Sequence, residues 1–370
     1  MSAIAVGGDL VHYEKLGRGK AIILIHGWIG SWRYWIPLMR LLQLEYSVYA
    51  VDLFGYGDSG KNPAKYGVNH QVEMMSSFMQ QLGVPKAAIV GHGLGAMIAA
   101  QFARQYPDRV ARLMLVAAPL FDPGDLNDRT PPGSRILLTP TNNASNPFPN
   151  LKDVPTASST QEAARLSDAA ESKQTPEVSE ATILSATQET LRNPNTLIDR
   201  EQLRQAALAR GSAALRGDSP SIESPNKSAR NHLKETLNAG PLDLLLRCFK
   251  RSEPEFETLN TDLDKMDAAV IERSASHYEA GMMLDTLRLV QSPIVIVHGN
   301  DDKLITAPGD NIWNYLTLDK DDTLLPIPIP GVRHFPMLEY EPFSRLVGDF
   351  LKVPDISKIE IKDRWRRRSR

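Results

Sequence analysis

The stretch Ile89–Ala96, IVGHGLGA, carries an apolar strand-like run into a glycine-rich turn and then into a helix-like segment. A side chain at position 93 would stand at the tip of that turn and be presented to whatever lies above it. The residue there is Gly93, which has no side chain to attack with. The same glycines admit a second chemistry. G-x-G-x-x-[GA] between a strand and a helix lets the backbone approach a pyrophosphate at the helix N-terminus. Other polar groups occupy comparable places. IHGW ends at Trp28, DLFGYGDSG begins at Asp52, HGNDD carries Asp301 and Asp302, and GVRHFPMLEYEPF carries His334. Imidazole and carboxylate are the side chains that exchange protons in catalysis. The histidines are scattered without a ligand-spaced pair, so no metal is expected.

These groups need strands and helices to hold them. AIILIHG (21–27), YSVYAVDL (46–53), KAAIVGHG (86–93) and VARLMLVAAP (110–119) are short apolar runs that read as buried parallel strands. Between them Trp35, Leu38, Met39 and Leu42, and again Met75, Phe78, Met79 and Leu82, fall at helical spacing. Strand–helix alternation implies an α/β sheet covered by helices on both faces. SPIVIVHG, DTLLPIPIP and the helical PFSRLVGDFLKV resume the pattern over 291–352.

The intervening stretch differs. From Asp122 to about Arg230 the composition shifts to Pro, Ser, Thr, Asn and Ala, with Phe148 the single aromatic. Such a segment buries too little apolar surface to offset its ordering entropy, and part of it is expected to be disordered. Helices are expected at 179–192 and 200–215, and better-packed ones in PLDLLLRCFKR and MDAAVIERSASHYEAGMMLDTL. A formal net charge of −2 implies no polyanionic partner. A single cysteine, Cys248, excludes an intramolecular disulfide. No signal-peptide pattern or membrane-length apolar run appears, so a cytoplasmic protein is expected.

Taken in order, IHGW, DLFGYGDSG, GHGLG, HGNDD and RHFPMLEYEP resemble the α/β-hydrolase superfamily of lipases, esterases, haloperoxidase-like and C–C bond hydrolases. The resemblance covers residues 8–119 and 291–352. It implies a mostly parallel twisted sheet flanked by helices, with an antiparallel ribbon near residues 3–16. Its elbow reads small-x-nucleophile-x-small. Gly91 and Gly95 fit the small positions, and Gly93 stands where the nucleophile belongs. By the same resemblance His334 is the general base and Asp302 its orienting acid, with adjacent Asp301 as a substitute. The backbone N–H groups of Trp28 and Leu94 form the oxyanion hole. His26, Asp52 and His92 read as structural. Ser31 and Ser59 are possible replacement nucleophiles, although neither occupies the sharp turn.

The resemblance also divides the chain. Residues 1–119 and 291–354 form the core, 120–290 a partly disordered cap or lid with Pro241–Leu289 as its packed part, and 355–370 a basic tail. Losing a serine nucleophile costs about a million-fold in turnover, or about 8 kcal/mol of barrier, which argues against ordinary acyl-enzyme hydrolysis. Two functions remain. One is a divergent hydrolase or lyase of a small organic molecule held under the cap, using His334 and Asp302 without a cofactor. The other is a non-catalytic protein that binds a ligand or partner. A dinucleotide-binding protein is more remote, because the strand after the glycine turn ends in Pro119 without a carboxylate. No specific nucleic-acid partner is expected, and the arginine-rich tail is a solvated end with weak attraction to anionic surfaces.

Overall fold

A computed structural model describes residues 2–126, 128–129, 231–318, 320 and 322–359. The first elements are β1 (Ser2–Val6), β2 (Asp9–Leu16), β3 (Lys20–Ile25), α1 (Ile36–Leu42), β4 (Tyr46–Val51), α2 (Val68–Gln81), β5 (Ala87–His92), α3 (Leu94–Gln105) and β6 (Val110–Val116). Five helices precede the next described strand: α4 (His232–Leu237), α5 (Pro241–Cys248), α6 (Pro254–Leu263), α7 (Ala269–Ala275) and α8 (Ala280–Leu289). The chain closes with β7 (Ile294–Gly299), α9 (Asp310–Thr317), β8 (Leu324–Ile329), α10 (Pro336–Glu339) and α11 (Phe343–Lys352).

The strands form one sheet in the order β1-β2-β4-β3-β5-β6-β7-β8. β1–β2 and β2–β4 pair antiparallel, and every later pair is parallel. Burial on both faces explains why β5 and β7 are continuous apolar runs rather than alternating ones. β1 lies at the edge and alternates instead. Register aligns the carboxyl ends: Ile25 faces Val51 and Gly91, Gly91 faces Leu115, and Val116 faces Val297. The loops after these strands therefore open on one edge of the sheet, where open α/β sheets bind their ligands.

Helix α2 buries Val72, Met75, Phe78 and Met79, and α11 buries Phe343, Leu346, Val347 and Phe350, as their spacing requires. The stretch from Met266 to Leu287 is two helices rather than one. The chain breaks at Ser276–Glu279, where the Tyr278 side chain turns inward and its hydroxyl donates to the Pro119 carbonyl at 2.5 Å. Cys248 is buried and unbridged, and burial pushes its thiol up. Ile356 and Ile359 are buried as well, so packing continues into the stretch the sequence assigns to the tail. The expected helices at 179–192 and 200–215, the disorder expected in the stretch that precedes them, and the arginines of the tail lie outside the described residues. Among the described residues no helix is long and apolar enough to cross a membrane.

Candidate active site

Gly93 joins β5 to α3 with φ 52° and ψ −108°, a backbone region that side chains enter only under strain. Its neighbours explain why the turn needs glycine on both flanks. A Cβ on Gly91 would lie 2.3 Å from the Gly95 carbonyl oxygen, and one on Gly95 would lie 2.4 Å from that of Ile25. Position 93 is roomier. A Cβ there would meet the Trp28 indole at 3.1 Å and the Gly27 Cα at 3.5 Å. The Trp28 ring thus rests against position 93. That indole is fixed at its other end, where Nε1–H donates to Ser274 Oγ at 3.1 Å.

The backbone N–H groups of Trp28 and Leu94 have no acceptor among the described residues. Leu94 is the first residue of α3, whose opening N–H groups have no intrahelical partner. The Gly27 N–H is committed, donating to the Tyr34 hydroxyl at 2.7 Å.

His334 lies in the loop between β8 and α10, almost fully buried, with Nδ1 2.8 Å from Asp302 Oδ2. Asp302 Oδ1 accepts the N–H groups of Leu304 and Ile305 at 2.8 and 2.9 Å, which fixes the carboxylate. Of the two adjacent acids, it is Asp302 that pairs, while Asp301 is exposed. Because Oδ2 accepts, the His334 proton sits on Nδ1 and a lone pair is left on Nε2. That nitrogen is buried without a hydrogen-bond partner among the described residues.

His92 ties the His334 loop to the turn between β5 and α3. Its Nε2 is 2.9 Å from the His334 carbonyl oxygen and its Nδ1 is 2.9 Å from the Tyr34 hydroxyl. Only one polarity satisfies the chain. Gly27 N–H donates to the tyrosine oxygen, the tyrosine O–H to Nδ1, and Nε2–H to the carbonyl. Neutral imidazole is therefore required, and burial, followed by the nearby His334, holds the His92 pKa well below the usual value. The sequence reading of His92 as structural misses this bridge, because Tyr34 lies ahead of α1 and outside its apolar stripe, and shows no signal until the partners meet.

The remaining sequence candidates hold loops. His26 Nδ1–H donates to the Gly27 carbonyl at 2.8 Å and Nε2 accepts the Leu53 N–H at 3.0 Å. Asp52 accepts from the backbone of Trp32 and Asp58 and pairs with buried His12 at 2.8 Å, a partner the sequence did not reveal. That hydrogen bond raises the His12 pKa. Ser31 Oγ donates to Asp262 Oδ2 at 2.8 Å, and Ser59 Oγ donates to the Asp52 carbonyl at 2.7 Å. Both hydroxyls are buried and occupied. An open cleft of about 780 Å³ reaches Asp302 beside Asp301, Lys303 and Arg333. Neither His334, Gly93 nor Trp28 lines it.

Residues 20–315 match the model of the alpha/beta hydrolase fold. The bifunctional epoxide hydrolase 2 of Rattus norvegicus is 36% identical over 122 residues, which cover 31% of this chain and 22% of that protein. The soluble epoxide hydrolase of Corynebacterium sp. is 32% identical over 111 residues, 30% of this chain and 39% of that one. The chain thus aligns with well under half the length of either relative. Among solved structures, a hydrolase from Pseudomonas aeruginosa PA01 superposes with a TM-score of 0.55 at 15% identity, covering 95% of this chain and 98% of the other.

Proposed function

The chain belongs to the alpha/beta hydrolase fold family, and on that premise we propose that it is a divergent hydrolase of a small organic substrate in which His334 and Asp302 drive attack by water itself. The observation that carries this reading is the 2.8 Å pair between His334 Nδ1 and Asp302 Oδ2, with His334 Nε2 buried and without a partner among the described residues. Gly93 supplies no nucleophile, and the hydroxyls of Ser31 and Ser59 are engaged elsewhere. His334 Nε2 takes a proton from water, and the water oxygen bonds to the electrophilic carbon as that carbon's bond to oxygen breaks. The departing oxygen carries the negative charge, held by the Trp28 and Leu94 N–H groups, and receives the proton back from the imidazolium.

The magnitudes narrow the substrate. A positioned base contributes about 10²–10⁴ and each oxyanion donor about 10²–10³. Without a covalent step these serve an electrophile that is already reactive, such as a strained ring or an activated ester. The relatives named as epoxide hydrolases make an epoxide the first choice.

The test is turnover of styrene oxide and of p-nitrophenyl acetate by the protein and by its His334→Ala and Gly93→Ser variants. We expect activity that falls at least about a hundred-fold in His334→Ala. A single turnover in ¹⁸O-water should label the first product made. Activity appearing only in Gly93→Ser would replace this reading with a second one, a ligand-binding protein. What favours that second reading is the Trp28 indole lying against the vacant elbow position.

A further inference from the structure

The loop that carries the Trp28 N–H is held by α6 and α7. Gly30, at φ 101°, is pressed between two side chains, so that a Cβ there would meet Tyr34 Cδ1 at 2.8 Å and Leu259 Cδ2 of α6 at 2.9 Å. One turn further along α6, Asp262 accepts the Ser31 hydroxyl at 2.8 Å on Oδ2 and the Arg33 guanidinium at 2.9 Å on Oδ1. Ser274 of α7 holds the Trp28 indole from the same side. Asp262 is buried, and both its oxygens are turned to residues 31 and 33. A buried carboxylate is costly unless it is hydrogen-bonded and paired, so α6 keeps its seat only while Ser31 and Arg33 keep theirs.

We propose that Asp262 is a positioning residue for the oxyanion loop, through which α6 sets the direction of the Trp28 N–H. The functional part rests on the reading of that N–H as an oxyanion donor, while the mechanical part does not. It follows that the loop and the helices expected to form the lid are one mechanical unit. The anchor point is Ser31, the residue that the sequence offered as a spare nucleophile.

The experiment is hydrogen–deuterium exchange followed by mass spectrometry on the intact chain, on Asp262→Ala, Asp262→Asn and Ser31→Ala, with protection corrected for intrinsic rates. Asp262→Ala should cost residues 26–34 about tenfold in protection while 87–105 keep theirs. Ser31→Ala, which changes no residue of α6 and leaves the Arg33 bond to Asp262, should give a smaller loss at the same place. Asp262→Asn, which can still make hydrogen bonds to both partners, should stay within about threefold of the parent.

A pH series adds a readout that mere packing would not move. Burial raises the Asp262 carboxyl despite its hydrogen bonds from Ser31 and Arg33. The other charged or titratable groups around it are Arg33, Asp52, His26 and Tyr34, while Lys265 on the next turn is engaged with Asp58. A raised pKa in the seated state means that seating takes up a proton. The parent should therefore gain protection relative to Asp262→Asn as pH falls toward the carboxylate range.

Unchanged protection at 26–34 in Asp262→Ala, or an equal fall across all peptides in both Asp262→Ala and Ser31→Ala, would overturn the proposal. So would an Asp262→Asn loop as loose as the alanine variant. None of these outcomes depends on turnover, so an inactive enzyme leaves this test intact.

Discussion

Three glycines in the elbow do different work, and substitution separates them. Gly91 and Gly95 abut main-chain carbonyl oxygens at 2.3 and 2.4 Å from where a Cβ would sit, one in α3 and one at the end of β3, and a main chain held in a helix or a sheet cannot rotate aside. Gly93 faces the Trp28 ring at 3.1 Å, and that ring has only a few tenths of an ångström to give. In urea unfolding, Gly93→Ser should cost about 1–3 kcal/mol, the strain of placing a side chain at φ 52°. Gly91→Ala and Gly95→Ala should each exceed about 4 kcal/mol or leave no folded protein. Equal damage at 93 and 95 would mean that position 93 never accepts a side chain, and the turn would lose its standing as a nucleophile seat. The residues of this site were legible in the sequence where a motif sits at a strand end, as for Gly93, Trp28, Asp302 and His334. Asp301 and Asp302 were not separable there, because adjacent carboxylates differ only in which one the fold turns toward His334. Tyr34, His12 and Asp262 were silent, since each is defined by a partner far away in the chain.

Strands were readable because burial on both faces demands unbroken apolar runs, and every expected run is a strand here. Their ends were less so. AIILIHG stops being strand at Ile25, since His26 and Gly27 spend their polar groups on the loop. The helices between β6 and β7 took their boundaries from long-range contacts such as that of Tyr278 with Pro119. One of these contacts can be measured in isolation. Arg333, next to the base, makes paired hydrogen bonds of 3.0 Å to both oxygens of Glu253 and a third of 2.7 Å to Glu339, and stacks 4.7 Å from the Phe249 ring. It thereby clips the end of α5 and the start of α6 to the loop holding His334. Both charged groups are nearly a third exposed, so solvent screening limits the pair to about 1 kcal/mol. A double-mutant cycle on Arg333→Met and Glu253→Gln should return a coupling of that order, shrinking in 1 M salt, where the screening length is about 3 Å. A coupling near zero, with Arg333→Met alone still destabilising, would place the stabilisation in the Phe249 stack instead, since the cycle cancels that contact.

Across the whole molecule, buried histidines set the pH range in which the fold persists. His26, His92 and His298 are fully buried, and desolvation lowers each pKa, that of His298 to about 4. His298 has a partner for neither ring nitrogen among the described residues. A histidine with a depressed folded pKa contributes stability that is complete above its unfolded value of 6.5 and is lost as pH falls, because the unfolded chain binds the proton first. For His298 the loss reaches about 3 kcal/mol by pH 4, at about 1.4 kcal/mol per pH unit. His12 has the opposite sign. Its pKa is raised by Asp52, so its contribution is complete below 6.5 and is lost as pH rises through the folded value. Stability should therefore peak near pH 6.5, with three histidines steepening the acid limb and one the alkaline limb. His298→Leu should flatten the acid limb, and it should raise stability at neutral pH by about 1–3 kcal/mol, since it removes polar atoms buried without partners. His12→Gln should flatten the alkaline limb. Urea midpoints between pH 4.5 and 8.5 measure both effects. An acid limb unchanged in His298→Leu would mean that water reaches that ring in the folded state, and the acid sensitivity would then belong to His26 and His92.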